Sequence, residues 1–116
     1  NMAYMNQEKK AKIAAKMKPV LKKYGLKGSL SVHNHSSITL TIKSGPLDFG
    51  SDYVQVNPYW LESNYSGTVL KALQEIKQAL LAADYYDRSD AQIDYFDTAY
   101  YYNINVGKWN KPYIKE

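Results

Sequence analysis

Ile13, Met17, Val20, Leu21 and Tyr24 follow one another at steps of 4, 3, 1 and 3 residues, which places them on one helical stripe. The other faces carry Lys9, Lys10, Lys12, Lys16, Lys18, Lys22 and Lys23. Asn6 is the natural N-cap and Gly25 the natural stop. Pro19 lacks a backbone donor and crowds the Ala15 carbonyl, so the pattern predicts a kink or break before it. The period then changes to two. Leu30 and Val32 alternate with Ser29, Ser31 and His33. Beyond a turn at 34–37, Ile38, Leu40 and Ile42 alternate with Thr39, Thr41 and Lys43. That is a hairpin with one apolar face and an outward Ser/Thr face, ended by Gly45-Pro46. Residues 46–65 hold no sustained period, although Val54 and Val56 allow a short strand. Ser66 caps a second helix whose stripe is Val69, Leu70, Leu73, Ile76, Leu80 and Leu81. Residues 84–97 are acidic, aromatic and irregular. In 98–106, Tyr100, Tyr102, Ile104 and Val106 share one strand face, opposite Tyr101, Asn103 and Asn105.

The element order is helix, strand, strand, helix, strand. It predicts an α+β domain with an antiparallel sheet of three to four strands and two helices on one face. The whole chain of 116 residues is read as one domain. Residues 1–5 are expected to be flexible, with Asn1 ahead of Met2 read as an added residue, and 108–116 form a C-terminal tail. Trp109 and Tyr113 argue against fraying there, because leaving two large rings in water forgoes about 25 cal/mol per Å² of apolar burial. Trp109 is therefore expected to be largely buried, stapling the last strand, with an exposed binding anchor as the alternative.

Composition narrows the chemistry. Zero Cys excludes disulfide scaffolds, thiolate zinc sites, iron–sulfur clusters and cysteine nucleophiles. No apolar run reaches the roughly 18 residues of a membrane span and no signal peptide is visible, so a cytoplasmic, non-membrane protein is expected. There is no P-loop, dinucleotide fingerprint or nucleophile elbow. Tyr is in surplus at 12 residues, and its apolar ring with a polar tip suits contact surfaces as well as the edge of a core. The net charge of +4 hides an asymmetry: residues 1–43 carry +8, 44–103 carry −6 and 104–116 carry +2.

Three clusters bear on function. His33 and His35, two apart on a strand, would share a face, but a zinc site needs further ligands, and exposed sheet-face or turn histidines are the favoured reading. Asp84, Asp87, Asp90, Asp94 and Asp97 recur at steps of 3, 3, 4 and 3, a set that would suit magnesium if helical. A solvated loop whose acids cap backbone amides is favoured over that metal-dependent nuclease reading. The lysines of the first helix could track phosphates, but a solubility face is the favoured reading.

His33-Asn34-His35-Ser36, Asp87-Arg88-Ser89-Asp90, Asp94-Tyr95-Phe96-Asp97 and Ile104-Asn105-Val106-Gly107-Lys108-Trp109-Asn110-Lys111-Pro112-Tyr113 together carry a resemblance. The chain resembles small uncharacterised proteins of tailed phages and plasmids, similar to a domain type associated with large polyvalent mobile-element proteins. The likeness runs from about Gln7 to Tyr113 and brings no catalytic residues with it. It implies an accessory protein acting in the host cytoplasm. The leading expectation is a non-enzymatic module without cofactors that engages a host or anti-phage defence protein, for example of the CRISPR type. Its contact surface is expected at Tyr85, Tyr86, Asp87, Asp90, Tyr95, Asp97 and Trp109, an acidic aromatic surface able to mimic nucleic acid. The alternative is single-stranded nucleic-acid binding, with Lys9, Lys12, Lys16, Lys22 and Lys23 along the backbone and Tyr101 stacking on bases.

Overall fold

The computed structural model describes residues 3–93 and 95–116. Asn6 caps helix α1 (Gln7–Lys23) by accepting from the Lys9 amide at 2.8 Å, and the helix buries Ile13 and Met17. Pro19 does not break it. Ala15 and Pro19 both lie on the exposed side, so the carbonyl that loses its donor faces water while the buried stripe holds the helix in place. After Gly25, strands β1 (Lys27–His33) and β2 (Ser37–Gly45) pair antiparallel. Asn34 and His35 both take positive φ, +52° and +54°, the signature of a two-residue hairpin turn. His35 therefore sits in the turn rather than on the strand face with His33.

The chain then runs through β3 (Val54–Val56), a short helix α2 (Leu61–Asn64) and helix α3 (Gly67–Leu80). The final strands are β4 (Tyr101–Val106) and β5 (Ile114–Lys115). The sheet is mixed, with order β1-β2-β4-β3, and β5 pairs with β2 beyond the end of β4. This corrects the antiparallel three- to four-strand expectation. β2 and β4 are parallel, with Ile38 beside Tyr102, Leu40 beside Ile104 and Ile42 beside Val106. The reason is the crossover: α3 returns the chain to the start of β2, where the Tyr100 hydroxyl donates to the Leu80 carbonyl at 2.6 Å. The Tyr101 amide then donates to Ser36 O at 2.9 Å, so β4 can only run alongside β2 in the same direction.

One face of the sheet, through Ile38, Leu40, Ile42, Tyr102, Ile104 and Val106, shares a single core with Ile13 and Met17 of α1 and Leu73, Ile76 and Leu80 of α3. The other face carries Ser, Thr, Asn and Gln. Thr39 and Thr41 lie on it yet are buried, because β2 has a neighbouring strand on each side. Of residues 1–5, expected from the sequence to be flexible, 1 and 2 lie outside the described residues, while Tyr4 and Met5 are tied down. Met5 is fully buried, and the Tyr4 and Met5 amides donate to Ala99 O and His35 O at 2.9 and 2.7 Å.

The tail is a clasp, but not through Trp109. Gly107 takes φ +68°, and a Cβ there would meet Asp52 O at 2.3 Å, so only glycine lets the chain turn under that loop. Tyr113 is 7% exposed, meets Phe49 edge-on at 5.2 Å and donates its hydroxyl to Leu47 O at 2.8 Å. Between them, Lys108 and Lys111 exchange backbone hydrogen bonds of 2.9 and 3.1 Å across a tight turn. Trp109 occupies the tip of that turn and is 82% exposed, which overturns its expected burial. The clasp energy therefore resides in Tyr113. Tyr113→Ala is expected to lower unfolding free energy by about 3 kcal/mol, as for truncating a buried aromatic, whereas Trp109→Ala should stay within about 0.5 kcal/mol. Denaturant unfolding of the two variants checks this.

Candidate functional site

Residues 86–99 fold back on themselves. The Arg88 amide donates to Asp97 O at 2.8 Å, Asp90 and Tyr95 exchange backbone bonds of 2.6 and 3.0 Å, and the Ala99 amide donates to Tyr86 O at 2.9 Å. A single 3₁₀ turn, Ala91–Ile93, closes the tip. The acids do local work. Asp87 Oδ1 accepts from the Ser89 amide at 3.0 Å and the Thr98 hydroxyl at 3.2 Å, and Asp90 Oδ1 accepts from the Gln92 amide at 3.0 Å. The Ser89 amide, with the Ser89 and Thr98 hydroxyls, holds the Asp87 carboxyl below its ordinary range.

Asp97 is only 1% exposed. Its Oδ2 receives Arg88 Nη2 at 2.9 Å and the Tyr95 hydroxyl at 3.3 Å, while its Oδ1 is buried without a hydrogen-bond partner among the described residues. Arg88 also lies 4.3 Å from the centre of the Tyr86 ring. One guanidinium thus ties Tyr86, on the first arm, to Asp97 on the second. Outside this pinned frame the loop presents Tyr86, Tyr95, Phe96 at 63% exposure and Ile93 at 71%. The part of their apolar area left in water gains nothing from folding, which makes them candidates for contact.

Several expectations change. Tyr85 is half-buried against the core: it meets Tyr100 and Tyr102 edge-on at 5.1 and 5.4 Å. Burial, with Tyr59 and Asp87 adding to it, pushes its hydroxyl up to about 12. Asp97 is an internal ion-pair partner, not a contact residue. Trp109 lies past the far end of β4, roughly 17 Å of strand from the loop, so the two are not one surface. The acids are not gathered. Asp84 is exposed and reaches Lys12 at 3.6 Å, and Asp94 lies outside the described residues. No group of three metal-ligating side chains that could hold an ion occurs among the described residues. Ile93, Phe96 and Arg88 were missed as site residues. The adjacent pair Tyr95-Phe96 was the available signal, because consecutive residues of an extended arm cannot both face one core.

The nucleic-acid set also comes apart. Lys9 donates to Tyr4 O at 3.0 Å, Lys12 pairs with Asp84, and Lys23 pairs with Glu75 at 3.0 Å. The Tyr24 hydroxyl also donates to Glu75; together with Lys23 it holds that carboxyl below its ordinary range. Lys16 and Lys22 are exposed. Tyr101 is on the open face of the sheet, opposite the face that α1 covers. A second cationic cluster lies elsewhere: Lys43, Lys108 and Lys111 line a recess of about 490 Å³ with Thr41, Tyr113 and Ile114.

No family model matches the chain, and neither the curated proteins nor the solved structures contain a match to it. Among the described residues no helix is long and apolar enough to cross a membrane.

The Arg88–Asp97 pair makes the loop's rigidity testable. Arg88→Ala leaves a buried carboxylate without its cation, a cost of about 1–3 kcal/mol after allowance for the exposure of the guanidinium. Asp97→Asn removes the buried charge and with it the need for a cation, leaving a neutral amide, and should cost less. Hydrogen exchange at the Arg88, Asp90 and Tyr95 amides should accelerate more in Arg88→Ala than in Asp97→Asn. Equal acceleration would show that the ion pair does not hold the loop.

Proposed function

We propose that this protein is a non-catalytic binding module whose anchor is the 86–98 loop. The observation that carries this reading is the combination of exposed Tyr86, Ile93, Tyr95 and Phe96 with a backbone already fixed by the Arg88–Asp97 pair and the cross-loop hydrogen bonds. A rigid aromatic protrusion loses little conformational entropy on docking, the property that makes aromatic side chains binding hot spots. Asp87 and Asp90 around it add negative charge, which favours a partner with a basic cleft. The acids are already engaged in capping and turn formation, and this supports contact rather than catalysis as their role.

The sequence resemblance supports reading the module as a phage or plasmid accessory protein that works in the host cytoplasm on a host or defence protein. Such a partner, itself built to grip nucleic acid, is addressed by acidic aromatic mimicry. A second reading, binding of single-stranded nucleic acid, is favoured by one observation: Lys43, Lys108 and Lys111 surround the recess beside the exposed Trp109 turn. On that reading the sheet end, not α1, is the contact surface.

Affinity capture from host lysate at moderate salt, with the wild-type chain and Ile93→Ala/Phe96→Ala side by side, tests the proposal. The double variant should keep its melting temperature within about 2 °C and lose at least about tenfold in partner recovery, as for removal of a hot spot. Equal recovery with both chains would remove the loop from the account. Salt-sensitive binding of a short oligonucleotide that is lost on Lys108→Ala/Lys111→Ala would instead support the second reading.

A further inference from the structure

Strand β1 ends the sheet: β2 pairs with one of its edges, and among the described strands none pairs with the other. Exposed edges are usually guarded by charge, proline, a bulge or a covering segment. Here the bulge lies between Lys27 and Gly28, at the start of the strand, and His33 closes its end. The stretch Gly28-Ser29-Leu30-Ser31-Val32 between them carries neither charge nor proline.

Beside this edge the core is open. α1 and β1 run alongside one another, and the seam between them forms a groove of about 550 Å³. Its apolar lining comes from Met17, Leu21, Leu26 and Leu30. Leu21, Leu30 and Val32 are only partly buried, although they pack on a core whose central residues are fully buried. Around the same groove stand Lys10, Lys18, Lys22 and Lys27, and among the described residues no acidic side chain lines it. Part of the lysine surplus of the first 43 residues is thus concentrated along one apolar slot next to an unpaired strand edge.

We propose that this seam binds an extended acidic peptide segment of a partner protein, which adds a strand to β1. Backbone hydrogen bonds to the free edge would supply affinity without regard to sequence, and the groove would supply selectivity through every second side chain. The chemistry of those alternate positions follows from the lining. A central position over Leu21 and Leu30 takes a branched apolar side chain. The positions on either side meet lysine ammonium groups and take carboxylates. This inference concerns residues outside the 86–98 loop and stands whether or not that loop engages a partner.

The test uses the full chain, labelled for NMR, and a capped peptide in which Glu, Leu and Glu occupy alternate positions with Thr between them. A second peptide carries Lys in place of Glu. The acidic peptide should produce saturable shifts at the Gly28–Val32 amides and at the Leu21 and Leu30 methyls, with slowed hydrogen exchange along β1. The basic peptide should bind at least about tenfold more weakly. Lys18→Glu/Lys22→Glu alters only exposed side chains; it should weaken the acidic peptide by about tenfold and strengthen the basic one. Absence of saturable shifts along β1, equal binding of the two peptides, or indifference to the charge reversal would overturn the proposal. So would an oligonucleotide that shifts the same resonances at lower concentration, or concentration-dependent dimerisation that protects β1, since these would assign the seam to nucleic acid or to a second copy.

Discussion

The sheet of this fold is organised on β2, the strand with the most partners. It pairs with β1 on one edge, and on the other with β4 along Ser37–Ile42 and then with β5 at Ser44 and Gly45. Its apolar residues Ile38, Leu40 and Ile42 are fully buried beneath the helices, and its two central threonines are buried between flanking strands. A strand flanked on both edges must satisfy its backbone on both. The returning chain supplies the second partner only by running parallel, after a crossover through α3.

The candidate surfaces follow from that arrangement. The 86–98 loop lies where the chain descends from α3 to the start of β4, and the Trp109 turn lies where it leaves the end of β4. Their separation is the length of one strand, so the two features act as different surfaces. The loop is acidic and aromatic. The turn is cationic, with Lys108 and Lys111 at its base. The groove between α1 and β1 is cationic as well, but lies beside an open strand edge. The polarised charge of the sequence is thus a polarised surface only in part, because Lys9, Lys12 and Lys23 are engaged within the chain.

Local patterns in the sequence were legible where one residue's neighbours decide its environment. The stripe of α1, the cap at Asn6, the alternation in β4 and the stripe of α3 appear as read, because period is a local consequence of helix and strand geometry; in β2 the two faces alternate as read, but the threonines expected outward are buried between neighbouring strands. Pairing was not legible. Nothing in Tyr101–Val106 distinguishes a parallel from an antiparallel neighbour; the direction is set by where α3 ends. Pro19 was over-weighted because a proline on the water-facing side leaves its orphan carbonyl solvated. Trp109 and Tyr113 were treated alike as large rings that favour burial, yet the glycine turn at 107 and the tight turn at 108–111 bring one ring inward and hold the other at a tip. In the candidate site, Tyr86, Asp87, Asp90 and Tyr95 were read correctly as lying on one loop. The burial of Asp97 depends on Arg88 across that loop, a contact that sequence spacing does not encode.

The parallel seam between β2 and β4 supports this whole arrangement, and backbone NMR tests it directly. Interstrand proton contacts should place Leu40 beside Ile104 and Thr39 beside Asn103, in the pattern of parallel strands, with Ser44 beside Ile114 further along the same edge. An antiparallel pattern, with Ile38 facing Val106, would contradict the crossover and with it the placement of both the loop and the Trp109 turn.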